Sequence, residues 1–214
     1  MEIVGTAATS GLSETLTRFV LREVINMIRV LKALGMTDVR VAMNVSPREM
    51  AQIAIDELVL RKLKEKGAPA SMLELEMTEE VAVNPRAVQE KLARLKAAGV
   101  SLAIDDFGSG YSSLGLLQQF HVHRVKIDKS FIAGVAGSEK DRSLVGAVLG
   151  VSRAFGFDVV AEGVEREEDV DALRELGCSL LQGYYFARPM SFEQAVNWAK
   201  RHHVGKRNGA APET

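Results

Sequence analysis

A chain of 214 residues is long enough for one sizeable core, and 47% hydrophobic with 26% charged residues exclude a disordered, fibrous or disulfide-stapled protein. Lys+Arg 27 against Asp+Glu 28 leave a net charge of -1, so no bulk positive field draws the chain to DNA, RNA or an anionic membrane, and a phosphate-bearing ligand has to be caught locally. The single Cys178 precludes an internal disulfide, no apolar run approaches the roughly 18 residues of a membrane span, and the N-terminus lacks a signal-peptide layout, which together predict a cytoplasmic protein.

In chain order, a helix is expected from about Ser13 to Leu34, with Leu16, Phe19, Val20, Val24, Ile28 and Leu31 on one face and Gly35 ending it. Short aliphatic runs then predict strands at Val39–Asn44, Met72–Met77, Val100–Asp105, Arg124–Asp128, Asp158–Glu162 and Leu180–Gly183. Helical spacing fills the intervals, at Pro47–Lys66, Pro85–Ala98, Ser112–Phe120, Lys140–Phe155, Glu167–Leu176 and Phe192–Arg201. Alternating strands and helices define an α/β chain with a parallel sheet. Residues 205–214 are small, polar and aperiodic and are expected to be a disordered tail to a domain spanning 1–204.

The informative residues fall where the predicted strands end. Asn44, Glu76, the pair Asp105-Asp106, Glu162 and Gln182 all lie at carboxyl ends, and Lys126 sits within the fourth strand. In parallel α/β folds that rim is where loops converge over a rigid scaffold and ligands bind. Four carboxylates in one mouth repel one another unless cations compensate them. Oxygen donors without a His or Cys cluster favour Mg²⁺ or Mn²⁺ over zinc, and an adjacent Asp pair suits two metals about 3.5–4 Å apart, the arrangement of phosphoryl-transfer chemistry. Lys126 adds a compact positive charge able to orient a water or a phosphate oxygen.

Asp105-Asp106-Phe107-Gly108-Ser109-Gly110-Tyr111-Ser112-Ser113-Leu114 is the most distinctive stretch, a bendable loop in which Ser112 or Ser113 can cap the following helix. Its Asp-Phe-Gly string resembles a kinase metal motif, but the Gly-rich nucleotide loop and His-Arg-Asp loop of kinases are not in the sequence. Elsewhere His121 and His123 read as rim or surface residues, Trp198 as packing, Tyr184, Tyr185 and Phe186 as candidates to stack on a base, and Leu114, Leu116 and Leu117 as a dimer face or monomer core.

Taken in order, Asn44-Val45-Ser46, Leu73-Glu74-Leu75-Glu76-Met77-Thr78-Glu79, the Asp105–Leu114 loop, Lys126-Ile127-Asp128, Ala161-Glu162-Gly163-Val164-Glu165 and Gln182-Gly183-Tyr184 resemble the EAL-domain phosphodiesterases of bacterial cyclic di-GMP signalling, over about Ile3 to Pro189. The resemblance implies a TIM-type (β/α) barrel that hydrolyses cyclic di-GMP to linear pGpG with Mg²⁺ or Mn²⁺, usually as a homodimer. It implies Asn44, Glu76 and Asp105 as ligands of the first metal, with Asp105 bridging to a second completed by Asp106 and Glu162. Lys126 would contact the water or phosphate and Gln182 would assist across the mouth. Glu79 would brace the loop carrying Gly108, Gly110 and Ser112, which couples dimer contacts to metal binding.

The Glu-Ala-Leu tripeptide that names the family is not in this sequence, and Ile3–Leu12 resembles the segment that follows the strand carrying it. The expectation is an incomplete barrel with six of eight strands, lacking one glutamate of the first metal and an arginine toward the phosphate. The function expected is that of a cyclic di-GMP phosphodiesterase impaired by the missing carboxylate. The alternative is a degenerate cyclic di-GMP-binding or protein-interaction regulatory module. A third reading, a barrel decarboxylase using Lys126 and Asp128, rests on Lys-x-Asp alone.

Overall fold

The computed structural model describes residues 13–83, 85–108, 115, 117 and 120–207. Six parallel strands follow one another in spatial as in chain order: β1 (Val41–Asn44), β2 (Leu73–Thr78), β3 (Ser101–Phe107), β4 (Arg124–Ile127), β5 (Asp158–Ala161) and β6 (Leu180–Leu181). Helices flank and join them: α1 (Ser13–Ala33) precedes β1, α2 (Pro47–Gln52) and α3 (Ile55–Lys66) lie between β1 and β2, α4 (Pro85–Ala97) between β2 and β3, α5 (Lys129–Ile132) and α6 (Glu139–Phe155) between β4 and β5, α7 (Glu167–Glu175) between β5 and β6, and α8 (Phe192–Arg207) follows β6, while most of the β3–β4 connection lies outside the described residues. The result is part of a (β/α) barrel, with β1 and β6 as its edges among the described residues. No helix among them is long and apolar enough to cross a membrane.

Strand burial follows from this layering. Five of the six residues of β2 are buried, because one face meets helices and the other the barrel interior. Leu73, Leu75 and Met77 pack outward in the core shared with Leu21, Ile25 and Ile28 of α1, all at most 2% exposed. Glu74 and Glu76 take the alternate face, as period two requires. Glu74, buried, accepts from Arg124 Nη1 at 2.8 Å and from Ser101 Oγ at 2.9 Å, so a neutralised polar layer lies beneath the strand ends.

Several boundaries differ from expectation for local reasons. The expected helix Pro47–Lys66 is two helices, because Ile53 is extended and Lys91 Nζ donates to the carbonyls of Met50 and Ile53, at 2.7 and 2.8 Å, drawing off acceptors a continuous helix would use. α2 opens with a capping box in which Ser46 and Glu49 bond reciprocally, and Thr17 Oγ1 donates to Glu49. α5 was not expected; Asp128 caps it by accepting from Ser130 N–H. α8 extends through Arg207, past the expected end at Arg201 and into the first residues assigned to the tail, and 208–214 lie outside the described residues. Most of the expected helix Ser112–Phe120 also lies outside them; Leu117, assigned either to a dimer face or to the core, is buried.

His123 closes the lower end of β3 and β4. Its N–H donates to Leu102 O and its Nδ1 accepts from Leu102 N–H at 3.1 Å, which requires Nδ1 unprotonated. Burial first, then the charges of Lys96 and Arg40, hold its pKa below the usual 6.5. The unfolded chain therefore takes up this proton before the folded one does, so His123 contributes stability above pH 6.5 that is lost as pH falls from there toward the folded-state value. Urea unfolding from pH 8 to 5 should show this slope, and His123→Gln, which keeps an acceptor but cannot titrate, should remove that part of it.

Candidate active site

The sheet register gathers the predicted residues at the carboxyl ends of adjacent strands, with Glu76 level with Ala103 and Asp105 two residues further along β3. Asn44 pairs with Glu76 across β1 and β2, Thr78 with Asp105 across β2 and β3, and Lys126 with Val160 across β4 and β5, one residue pair below Glu162 on the same face. Val45 N–H donates to Glu76 O, and Glu162 N–H to Ile127 O, extending the pairing past the strand ends.

Neighbouring residues of a regular strand point to opposite faces, so Asp105 and Asp106 cannot both enter the mouth unless the strand is broken. It is broken here. Ile104 pairs with Val125 but Phe107 pairs with Ile127, which leaves one extra residue on β3, a bulge. Asp106 takes up that residue in the left-handed region at φ 53, a strained conformation for a side chain with a Cβ. Asp105, Asp106 and Glu162 consequently bring one carboxylate oxygen each within 4.8 Å of the others. Three convergent hard oxygen donors fit a divalent cation such as Mg²⁺ or Mn²⁺.

Lys126 sits at the centre, buried at 4% exposure. Its Nζ contacts Glu162 Oε1 at 2.6 Å, Glu76 Oε1 at 2.9 Å and Asp105 Oδ1 at 3.0 Å. Burial disfavours this ammonium, but Glu76, Glu162 and Asp105 outweigh it and hold the pKa above that of an ordinary lysine. Burial raises the carboxyl pKa of Glu76 and of Glu162, against the opposing pull of Lys126. Burial, then the Asp105 and Asp128 carboxylates, raises that of Asp106. One ammonium thus compensates part of a four-carboxylate mouth.

The remaining predicted residues are placed as follows. Asn44 is exposed at the end of β1, and Glu76 faces Lys126 rather than joining the Asp105–Asp106–Glu162 group. Glu79 Oε1 accepts from Gly108 N–H at 2.9 Å, tying the end of β2 to the loop after the acid pair. Gly108, at φ 99, is pressed against Phe131: a Cβ would lie 2.6 Å from the ring. Gly110 and Ser112 lie outside the described residues. Gln182 is exposed, its N–H on Ala161 O and its carbonyl receiving Val164 N–H, so the loops after β5 and β6 are laced together. Gly183 is required there because a Cβ would overlap the backbone of Val164.

One rim residue was missed as a site candidate. Asp128 lies against Asp106 and raises its pKa, while bonds from Ser130 hold Asp128 itself low. The signal was present in the Lys126-Ile127-Asp128 string, which places Asp128 just past the end of β4, two residues beyond Lys126. In the sequence Asp128 stands in that family-like string and in the decarboxylase reading, without a role at the metal rim.

Comparison with known proteins agrees with this geometry. The EAL domain family matches residues 2–189. A Pseudomonas aeruginosa protein, the cyclic di-GMP phosphodiesterase NbdA, is 37% identical over 188 residues, which are 87% of this chain but 24% of NbdA, so the chain spans about a quarter of that relative's length. The solved structure of the PaMucR phosphodiesterase in complex with c-di-GMP is 35% identical and superposes with a TM-score of 0.85 over 91% of this chain and 79% of that one. Klebsiella pneumoniae BlrP1 with manganese and cyclic di-GMP is 31% identical, with a TM-score of 0.73 over 83% of this chain and 46% of that one.

Two substitutions test the geometry. Lys126→Met leaves the buried Glu76 and the half-buried Glu162 without their cation and should lower metal-free stability by about 3–5 kcal/mol in urea unfolding. Gly183→Ala, which must push apart the Gln182 and Val164 backbones, should lower the melting temperature, whereas Gly137→Ala, where a Cβ meets nothing within 4 Å, should leave it nearly unchanged.

Proposed function

This chain belongs to the EAL domain family, and from that premise we propose that it is a metal-dependent cyclic di-GMP phosphodiesterase-like protein that cleaves one phosphodiester to give linear pGpG, with turnover impaired in the 214-residue chain itself. The reading rests on the single ammonium of Lys126 held among Glu76, Asp105 and Glu162, beside three converging carboxylates. Asp105, Asp106 and Glu162 would hold one Mg²⁺ or Mn²⁺, and Asn44 and Glu76 would join Asp105 at another. Bound there, such ions supply Lewis-acid polarisation of the phosphodiester and a nucleophile at neutral pH.

The chain's own groups position the substrate. Lys126 offers its ammonium to a phosphate oxygen or to the attacking water, and Gln182 stands on the far side of the mouth. Tyr184 and Tyr185, both exposed, are available to stack on guanine. Glu79 and Gly108 fix the loop that follows the acid pair. Turnover is impaired in this reading because the Glu-Ala-Leu carboxylate is not among these residues, and losing even an outer partner of a ligand costs about 10–100-fold. As a family module of this kind the protein would work as a cytoplasmic homodimer.

Incubation with cyclic di-GMP and Mn²⁺, followed by chromatography for pGpG, should show slow turnover that EDTA abolishes and that Asp105→Asn removes. Fast, EDTA-sensitive turnover would overturn the impairment. Binding without any turnover would assign the chain to the regulatory-module class, favoured by the same missing carboxylate.

A further inference from the structure

At the other end of the sheet, where the strands begin, lies a cavity of about 650 Å³. Its polar lining is Arg40, just before β1, with Lys96, His121, His123 and Asp158. Arg40 is exposed and has no ion-pair partner among the described residues. Lys96 Nζ donates to His121 O at 2.9 Å, which leaves two of its three protons available. His123 takes Leu102 N–H on Nδ1, so its Nε2 carries the proton and is a donor. Asp158 is the single carboxylate of the lining, and it lies 3.6 Å from Arg124 Nη2. The pocket is therefore locally positive on a chain whose net charge is -1.

The walls are aromatic as well as cationic. Phe155, last residue of α6, lines the cavity and is 46% exposed, while Phe157 forms its buried floor. A bare phosphate would leave most of such a volume unfilled, whereas pockets of about 300–1,000 Å³ suit drug-sized ligands. We propose that this pocket is a second ligand site, separate from the acidic rim, that takes a nucleotide with its phosphate on Arg40 and Lys96 and its planar ring against Phe155. The cationic end supplies charge-assisted hydrogen bonds, and the exposed ring supplies the stacking face. This site is independent of the rim chemistry.

Calorimetric titration of the intact chain with GMP, in metal-free buffer, should give saturable binding that inorganic phosphate reproduces only more weakly. Arg40→Gln alters an exposed side chain without an ion pair and should weaken GMP binding about tenfold or more, the loss expected for one charge-assisted bond. Phe155→Ala should weaken GMP but not phosphate, and Glu162→Gln, at the rim, should leave GMP binding intact. The proposal fails if GMP does not saturate, if Arg40→Gln binds as the unmodified chain does, or if Glu162→Gln removes the binding. It fails for nucleotides if phosphate binds as tightly as GMP and Phe155→Ala changes neither.

Discussion

The buried ammonium of Lys126 is the constraint around which the rest of this structure is arranged. A parallel barrel ordinarily fills its interior with branched aliphatic side chains. Here the inward positions of β2 and β4 carry Glu74, Glu76, Arg124 and Lys126, each charged and each largely removed from water. Such charges persist in low dielectric only when they are paired and hydrogen-bonded. The lower layer closes on itself, Glu74 with Arg124 and Ser101. The upper layer does not, since one ammonium faces Glu76, Asp105 and Glu162 with Asp106 beside them. That imbalance lies at the strand ends, where a ligand can reach it.

Backbone irregularity serves the same end. The β3 bulge and the left-handed Asp106 turn a consecutive pair of aspartates to one side. Glu79 holds the following loop through Gly108, and the close contact of Gly183 with Val164 fixes the loops that carry Glu162 and Gln182. Strain at Asp106 is maintained because β2 and β4 pin β3 on both sides.

The two ends of the sheet have opposite electrostatic character. The carboxyl ends concentrate oxygen anions and the amino ends carry Arg40, Lys96 and two imidazoles, although the whole chain is nearly neutral. Composition averages such a separation away. It emerges from which residues the fold gathers at each end of the parallel sheet.

The α/β class, the six strands, most helix positions and the family were legible in the sequence, because period two against period 3.6 and a string of ordered motifs are local signals. Asn44, Glu76, Asp105, Asp106, Lys126, Glu162 and Gln182 could be placed near strand ends for the same reason. What the linear pattern could not carry is non-local. The split between α2 and α3 depends on Lys91, some forty residues away. The capture of three carboxylates by Lys126 depends on four strands in register. The bulge that lets Asp105 and Asp106 act together depends on β4 having one residue fewer than β3 to pair with, and the pocket at the amino ends depends on Arg40, Lys96 and Phe155 meeting from three separate elements. Sequence determined which chemical groups stand near the strand ends, since spacing along one strand is written in the chain. Only tertiary structure decided which of them touch, because contact across strands is set by register, bulge and close approach.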